Sequence, residues 1–123
     1  MAAGGVGAIW EQLARLSTAM IPIDGVLWKP ANRFWGNASD GNQVEIDVIA
    51  ESFDGTRILI GEAKWQIKVD VEAEFKRLER LAPLISIIQG RKISFACWVP
   101  DADKCNKARY NVIGAQAVMT ALR

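Results

Sequence analysis

Residues 44–65, with the sequence VEIDVIAESFDGTRILIGEAKW, limit the possible folds of this chain more than any other segment. Two apolar runs, residues 44–50 and 58–63, lie on either side of the dipeptide Asp54-Gly55. An Asp-Gly pair between two apolar runs is a strong signal for a β-hairpin. We therefore predict two antiparallel strands joined by a tight turn.

Charged residues interrupt both predicted strands on defined faces, because side chains alternate between the two faces of a strand. The first strand is predicted to carry Glu45 and Asp47 on one face. Its apolar residues are predicted on the opposite face: Val44, Ile46 and Val48. The second strand is predicted to carry four residues on one face: Ile58, Ile60, Glu62 and Lys64. If the strands pair around the turn, three carboxylates and one ammonium group converge at one end of the sheet.

Burying these charges without partners would carry a large desolvation cost. A divalent metal ion together with a phosphate group would offset that cost, because the metal attracts the carboxylates and the phosphate attracts the ammonium group. The segment therefore predicts a metal and phosphate site as well as a hairpin.

The composition limits the chemistry available to the chain. The absence of histidine excludes histidine-dependent catalytic triads, histidine-ligated zinc and imidazole acid–base catalysis. The net charge of +1, from 15 basic and 14 acidic residues, excludes a broad basic surface. Any binding of nucleic acid must therefore depend on a local patch.

The chain of 123 residues is long enough for one domain with a single core. Cys97 lies in an apolar run and is predicted to be a core residue, whereas Cys105 lies in a polar stretch. Two cysteines are too few for a four-ligand zinc site and favour a reducing cytoplasm, with a disulfide as the minor alternative. No apolar segment reaches the roughly 20 residues that span a bilayer, so we expect no membrane partner. Residues 1–5 are predicted to be a flexible start.

Residues 6–20 are predicted to form an amphipathic helix, because apolar residues recur at steps of three and four. These residues are Val6, Ile9, Trp10, Leu13, Leu16 and Met20. Glu11 lies at the margin of this apolar face, and two interpretations of it stay open. It is either a solvated charge near Arg15 at i+4, or a carboxylate that reaches the charged end of the sheet.

Arg33, Phe34 and Trp35 precede a polar loop at residues 37–42. Aromatic side chains beside an arginine can stack on a nucleobase or help to hold a phosphate. The same side chains can instead cover the edge of the core. Arg33 and Trp35 are therefore candidate nucleic-acid-binding residues with a structural alternative.

Residues 69–82 are predicted to form a second amphipathic helix with Asp70 as its N-cap. Its charged residues are predicted to form a solvated face: Glu72, Glu74, Lys76, Arg77, Glu79 and Arg80. Lys68, just before this helix, can add positive potential beside the charged cluster and is a third candidate for binding nucleic acid. Pro83 is expected to kink or end the helix.

The remaining segments complete a mixed fold. Residues 93–99 are apolar, β-branched and aromatic, which is typical of a buried central strand. A short basic helix at residues 102–110, a strand at 111–113 and a helix at 115–122 are predicted after it. The order of helices and strands predicts an α/β or α+β domain with a mixed sheet.

The spacing Asp47-x14-Glu62-x-Lys64, with Glu45 two residues before Asp47, resembles the PD-(D/E)xK nuclease signature. Ile46 stands where that signature has its proline. The runs VEIDVIA and GEAKW resemble, within this superfamily, a domain of unknown function at the C-terminus of archaeal-type AAA+ ATPases. The resemblance extends over residues 6–99. It implies an α/β fold with a restriction-endonuclease-like core, in which a central mixed β-sheet is flanked by α-helices.

Carried over position by position, the resemblance implies that Asp47, Glu62 and Lys64 form the metal and catalytic set. Glu45 accompanies them, and Glu11 is the expected carboxylate from the first helix. The chain lacks the ATPase module, so it is expected to be either an excised domain or a stand-alone relative.

These residue types suit metal-dependent cleavage of a phosphodiester. Asp47 and Glu62 are hard oxygen ligands for Mg²⁺ or Mn²⁺, and the main-chain carbonyl of Ala63 can add a further ligand. Lys64 can orient or deprotonate the attacking water and stabilise charge on the phosphorus. Glu45 can support this metal or hold a second one. The side chain of Ala63, where the pattern often has cysteine, is expected to face away from the cleft.

Two functions from different classes follow. The first is a Mg²⁺-dependent nuclease that hydrolyses phosphodiester bonds in DNA. The alternative is a catalytically silent nuclease-like module for nucleic-acid or protein interaction, normally attached to or partnered with an AAA+ ATPase. The intact Asp47, Glu62 and Lys64 favour the first function, whereas the near-neutral net charge favours the second. A purely structural salt-bridge network is a third alternative, and a homodimer is expected by analogy alone.

Overall fold

The computed structural model describes residues 5–105 and 110–123, which form an α/β arrangement of five strands and four helices. In chain order the elements are α1 Val6–Thr18, β1 Asn32–Asn37, β2 Gln43–Glu51, β3 Arg57–Ala63, α2 Val71–Leu81, β4 Lys92–Trp98, α3 Ala102–Cys105, β5 Asn111–Ile113 and α4 Ala115–Ala121. Two short 3₁₀ turns, Ala82–Leu84 and Ser86–Ile88, connect α2 to β4.

The five strands form one mixed sheet in the order β1-β2-β3-β4-β5. The strands β1, β2 and β3 pair antiparallel, whereas β3, β4 and β5 pair parallel. The predicted hairpin is confirmed. Its turn is closed by Asp54, whose Oδ1 accepts hydrogen bonds from the Thr56 N–H and the Ser52 hydroxyl. Gly55 has a φ of 76°, which a residue with a side chain rarely adopts.

Helices cover both faces of the sheet. The face toward α1 and α4 is packed by the three buried tryptophans Trp10, Trp28 and Trp98. The opposite face, toward α2 and the 3₁₀ turns, is packed mainly by isoleucine and leucine side chains: Ile46, Ile58, Ile60, Leu78, Ile85 and Ile88. A third cluster beside α2 contains Val71, Phe75, Cys97, Val99 and Cys105. The mixed sheet between helices agrees with the predicted fold class.

A β-bulge in β2 changes the predicted alternation. Asn32 pairs with Ile49 and Phe34 pairs with Ile46. An interval of two residues on β1 is therefore matched by an interval of three residues on β2. The additional residue falls between Ile46 and Ile49 and shifts the side chains that follow it. Val48 therefore packs against the α1 face of the sheet, and its predicted place beside Val44 and Ile46 is wrong.

The predicted first helix exists, but its buried face differs from the predicted one. Four residues of the predicted apolar stripe are more than half exposed: Val6, Ile9, Leu16 and Met20. The buried residues of α1 are Trp10, Ala14, Ser17 and Thr18. The helix also ends at Thr18, so Met20 lies beyond it.

Hydrogen bonds explain why polar residues of α1 are buried. The Trp10 Nε1–H donates to the Trp98 carbonyl at 3.1 Å, and the Trp98 Nε1–H donates to the Ser17 hydroxyl at 3.2 Å. The Ser17 and Thr18 hydroxyls donate in turn to the Ala14 carbonyl. A hydroxyl with such partners can be buried without losing hydrogen bonds, which an apolar pattern does not reveal.

The C-terminal half follows the prediction closely. Asp70 caps α2 by accepting a hydrogen bond from the Ala73 N–H, and β4 occupies the predicted buried segment. The predicted basic helix at 102–110 is observed as α3 up to Cys105, and residues 106–109 lie outside the described residues. Of the predicted flexible start, residues 1–4 also lie outside them.

Both cysteines are buried and free. Cys97 is the core residue that we predicted, but Cys105 is also almost completely buried despite its polar sequence surroundings. The two thiols belong to the same cluster and form no disulfide. Across residues 5–105 and 110–123, no helix has the length and apolar composition needed to cross a bilayer.

Gly61 allows β3 to pass the ring of Trp98. A Cβ atom at position 61 would lie 2.6 Å from Trp98 Cζ3 and 2.7 Å from the Ala96 carbonyl oxygen. Gly61→Ala is therefore expected to lower the free energy of unfolding by about 1–3 kcal/mol, because a buried indole and a strand backbone would have to move. Urea unfolding measures this change.

Gly7→Ala is the matched control, because a Cβ at position 7 of α1 meets no atom within 4 Å. This control is expected to leave stability unchanged or raise it by up to about 1 kcal/mol. Equal unfolding free energies for Gly61→Ala and the original chain would contradict the packing described here.

Candidate functional site

The candidate site lies where β2 and β3 stop pairing through their backbones. The ladder between these strands ends at Val48 and Gly61. At the next positions, side chains replace backbone carbonyls as acceptors. The Asp47 N–H donates to Glu62 Oε2 at 3.2 Å, and the Ala63 N–H donates to Asp47 Oδ2 at 2.9 Å. Each strand thus presents a carboxylate to the backbone of the other, which brings Asp47 and Glu62 together.

An open groove of about 830 Å³ surrounds this pair and is lined by α1, β1, β2 and the end of β3. Its charged lining residues are Glu11, Arg15, Arg33, Glu45, Asp47, Glu62 and Lys64. All five predicted catalytic residues line this groove, together with Ala63 and Arg33. Glu11 lines the groove together with Arg15, and the charges of both Asp47 and Arg15 act on its pKa, so both interpretations of Glu11 stay open.

Two of the predicted nucleic-acid-binding residues lie elsewhere. Lys68 is exposed and lines a separate depression with Lys104 and Cys105. Trp35 lies on β1 opposite Glu45 and is connected to the groove through Arg33, whose guanidinium carbon lies 5.6 Å from the centre of the indole ring. The Arg33 guanidinium also pairs with Glu45 Oε1 at 2.7 Å.

Arg77 contacts the buried carboxylate from α2, and its predicted place on the solvated face is wrong. Arg77 Nη2 lies 2.5 Å from Glu62 Oε1, and Arg77 Nε lies 3.8 Å from Glu74 Oε1. A long side chain at the flank of a helix can reach inward while its stem stays at the surface. The signal available in the sequence was Glu62 itself, since a buried carboxylate requires a nearby cation.

Arg15 is a second residue whose contact the sequence did not reveal. Its Nη1 donates to the Asp47 carbonyl oxygen at 2.9 Å. A β-bulge disrupts the regular ladder and leaves backbone groups in need of other partners. Arg15 supplies such a partner from α1, and the contact fixes the helix over the bulge that carries Asp47.

Burial and the nearby negative charge of Asp47 raise the pKa of two carboxylates in the groove, Glu62 and Glu11. Burial, and second the nearby charge of Asp47, raise the pKa of Glu62 to about 7, although Arg77 and Lys64 act in the opposite direction. Burial and Asp47 likewise raise the pKa of Glu11. Carboxylates crowded in this way favour either a bound proton or a bound cation.

Lys64 supplies a cation at the end of β3. Its backbone N–H donates to the Trp98 carbonyl at 2.9 Å, which keeps this end of the strand alongside β4. The Lys64 side chain lines the groove and forms no ion pair with any residue that the structure describes. Its ammonium group is therefore available to an anion in the groove.

The donor set fits a hard divalent cation with few protein ligands. Asp47 and Glu62 each place a carboxylate oxygen on a backbone N–H of the neighbouring strand, and Ala63 borders the same groove. Glu45 is already paired with Arg33. Within the described parts of the chain, no group of three or more Asp, Glu, Cys or His residues is arranged around a common metal position. Mg²⁺ needs one or two carboxylates and retains several waters, so the Asp47–Glu62 pair is sufficient for it.

Comparison of the chain with protein-family models, curated proteins and solved structures finds no match.

The raised pKa of Glu62 predicts a stability that falls with pH. The folded chain holds a proton on Glu62 up to about pH 7, whereas an unfolded glutamate releases it near 4.5. The contribution of protonated Glu62 to the free energy of unfolding is fully present below pH 4.5. It is lost as pH rises through 7, and the free energy of unfolding falls by about 2–3 kcal/mol. Urea unfolding in EDTA, compared between the original chain and Glu62→Gln, measures it as the difference between the two pH profiles. Parallel profiles for the two proteins between pH 4.5 and 7.5 would contradict the prediction.

Proposed function

We propose that this chain is a Mg²⁺- or Mn²⁺-dependent nuclease domain that hydrolyses phosphodiester bonds in DNA. The observation that carries the proposal is the meeting of Asp47 and Glu62 at the end of the β2–β3 ladder, in the groove that Lys64 also lines. Two hard anionic ligands beside an unpaired ammonium group suit a metal ion and a phosphate at adjacent positions.

The fold supports this proposal through the placement of the site. A mixed sheet covered by helices on both faces agrees with the restriction-endonuclease-like core that the sequence resemblance implies. The hairpin places Asp47 and Glu62 on neighbouring strands, so their separation depends on strand geometry rather than on a loop. Sites built on strands hold ligands more accurately than sites on loops.

A divalent metal bound between the carboxylates would polarise the phosphodiester and lower the pKa of an attacking water. Asp47 and Glu62 would hold the metal, and Ala63 would be able to add its carbonyl oxygen. Lys64 orients the attacking water and offsets the negative charge that develops on the phosphate oxygens. Glu45 and Glu11 add negative charge at the rim of the same groove.

Arg77 and Arg15 position this set. Arg77 holds one oxygen of Glu62 while the Asp47 N–H holds the other, so the glutamate has one orientation before any metal arrives. Arg15 holds the backbone of Asp47 from the opposite face of the sheet. Arg77 acts to lower the pKa of Glu62 and Arg15 that of Glu11, although burial and Asp47 raise both pKa values overall.

The arrangement of Glu62 also favours a second candidate function, a silent nuclease-like module. Both Glu62 oxygens already have partners, so the network holds this glutamate in place without a metal. A module that retains this network for structure alone would bind nucleic acid or protein without cleaving it. Such a module would act with a partner, for which we propose an AAA+ ATPase.

Metal binding tests the donor set independently of catalysis. Mn²⁺ at 100 times its dissociation constant is expected to raise the free energy of unfolding by about 2.7 kcal/mol, because it binds the folded chain. Asp47→Asn is expected to abolish this increase. Glu79→Gln, which changes an exposed carboxylate outside the groove, is expected to retain it. Thermal unfolding with and without Mn²⁺ measures the change. An unchanged transition of the original chain in saturating Mn²⁺ would remove the metal-dependent proposal.

Cleavage of plasmid, linear and branched DNA in Mg²⁺ or Mn²⁺ tests the reaction. Lys64→Ala is expected to lower the cleavage rate at least about 100-fold, because it removes the cation proposed to orient the attacking water and to offset the developing negative charge. Lys92→Ala is the matched control, since Lys92 is exposed at the start of β4, at the end of the β3–β4 ladder remote from Ala63, and it is expected to cleave at the original rate. Cleavage by Lys64→Ala at the rate of the control would show that the activity comes from another site.

A further inference from the structure

The charged residues that line the groove give it no net positive charge for binding a polyanion. Its described lining residues include four carboxylates, Glu11, Glu45, Asp47 and Glu62, but three cations, Arg15, Arg33 and Lys64. Two of these cations already have partners, Arg33 on Glu45 and Arg15 on the Asp47 carbonyl. Proteins that bind duplex DNA through phosphate contacts depend on many such cations. This groove must therefore obtain much of its affinity from contacts other than phosphate neutralisation.

Two exposed tryptophans beside the groove can supply such contacts. Trp10, Trp28 and Trp98 are at most 2% exposed, whereas Trp35 is 68% and Trp65 is 45% exposed. The three core tryptophans are stabilised by the burial of their apolar rings, whereas the two exposed rings lack that stabilisation. The two exposed rings are therefore the large aromatic surfaces that remain available to a ligand near the site.

Both rings are held at defined places. Trp65 lines the groove next to Lys64 in sequence, and its ring centre lies 5.1 Å from that of the buried Trp10. Trp35 lies on β1, which is separated from β3 by β2, and it is paired with Glu45 and covered by the guanidinium of Arg33. The Trp35–Glu45 position is two residues from Asp47, which is about 7 Å along a strand. One ring thus lies on each side of β2, near the carboxylate pair.

We infer that the groove binds unpaired nucleotides of single-stranded DNA, with bases stacked on Trp35 and Trp65 and, when a metal ion is bound, a phosphodiester beside Asp47 and Glu62. The inference deepens the proposed nuclease function by naming its substrate, and its phosphodiester position rests on that function. Stacking on aromatic rings contributes about 1–3 kcal/mol per base in single-strand binders. Bases inside a duplex are stacked on one another and cannot reach these rings, so the groove discriminates against paired DNA.

The charge inventory gives this binding a characteristic salt dependence. Each neutralised phosphate of a single strand contributes about −0.7 to the slope of log K against log salt concentration. The three groove cations therefore limit the slope to about −2 or shallower. A binding mode that depended on phosphates along a duplex would show a much steeper slope.

The experiment measures binding in EDTA, where a metal-dependent nuclease does not cleave. A fluorescently labelled 12-nucleotide oligo(dT) and a duplex of the same length are titrated with the protein, and anisotropy gives the dissociation constants. The single strand is expected to bind at least about 10-fold more tightly than the duplex. Trp35→Ala and Trp65→Ala are each expected to weaken single-strand binding about 5-fold or more.

Phe53→Ala is the matched control, because Phe53 is an equally exposed aromatic that lies beside the β2–β3 turn, away from the groove. It is expected to bind as the original chain does. Equal affinity for single strand and duplex, or equal binding by the Trp35, Trp65 and Phe53 variants, would overturn the inference. Self-association that shields Trp35 and Trp65, with no binding of oligonucleotide, would also overturn it and would assign the rings to a protein interface.

The outcomes separate this inference from the nuclease proposal. Single-strand binding that depends on Trp35 and Trp65, without cleavage in Mg²⁺ or Mn²⁺, would support the inference and overturn the nuclease function. If the chain cleaves duplex DNA but binds single strands no more tightly than duplex, the nuclease function would be supported and this inference would be overturned.

Discussion

The exchange of hydrogen bonds between Asp47 and Glu62 is the interaction on which the rest of the site depends. Each carboxylate accepts from the opposite strand where a backbone carbonyl would otherwise do so. Because both carboxylates are buried by this exchange, each face of the sheet must contribute a cation. Arg77 arrives from α2 at the side chain of Glu62, and Arg15 arrives from α1 at the backbone of Asp47. The positions of the two helices are therefore linked to one pair of residues at the end of a hairpin.

The buried pair of Asp47 and Glu62 with its two arginines adds little to the stability of the fold but is well suited to a functional site. Buried ion pairs rarely stabilise a fold more than apolar residues of the same size, because desolvation offsets their attraction. The stability of the chain comes instead from the tryptophan cluster under α1 and the isoleucine cluster under α2. Several local rules are broken at this end of the sheet, where β2 bulges and charges are buried. Departures from local sequence–structure rules that cluster in one place are typical of functional sites.

The regular parts of the fold could be predicted from the sequence because local signals and tertiary packing agree there. The hairpin, the capped α2, the buried β4 and the mixed sheet all follow from periodicity and turn chemistry. The grouping of Asp47, Glu62 and Lys64 was predictable for the same reason, since strand alternation and an Asp-Gly turn place them at one end.

The parts that could not be predicted depend on contacts between distant residues. The bulge near Asp47 exists only in the pairing of β1 with β2, so a single strand's pattern placed Val48 on the wrong face. The rotation of α1 depends on hydroxyl and indole hydrogen bonds that hydrophobicity does not encode. Arg77 looked like any other charge on a helix surface, because its partner lies 15 residues away in sequence on β3.

The Trp98 carbonyl has a mechanical consequence for the groove. It accepts the Trp10 indole N–H from α1 and the backbone N–H of Lys64 from the end of β3. One oxygen atom of a central strand thus tethers both walls of the groove. Thermal displacement of α1 must therefore be correlated with displacement of the lysine-bearing strand end, and the two walls move as a unit with β4. These two walls of the groove therefore cannot separate without breaking one of the hydrogen bonds to the Trp98 carbonyl.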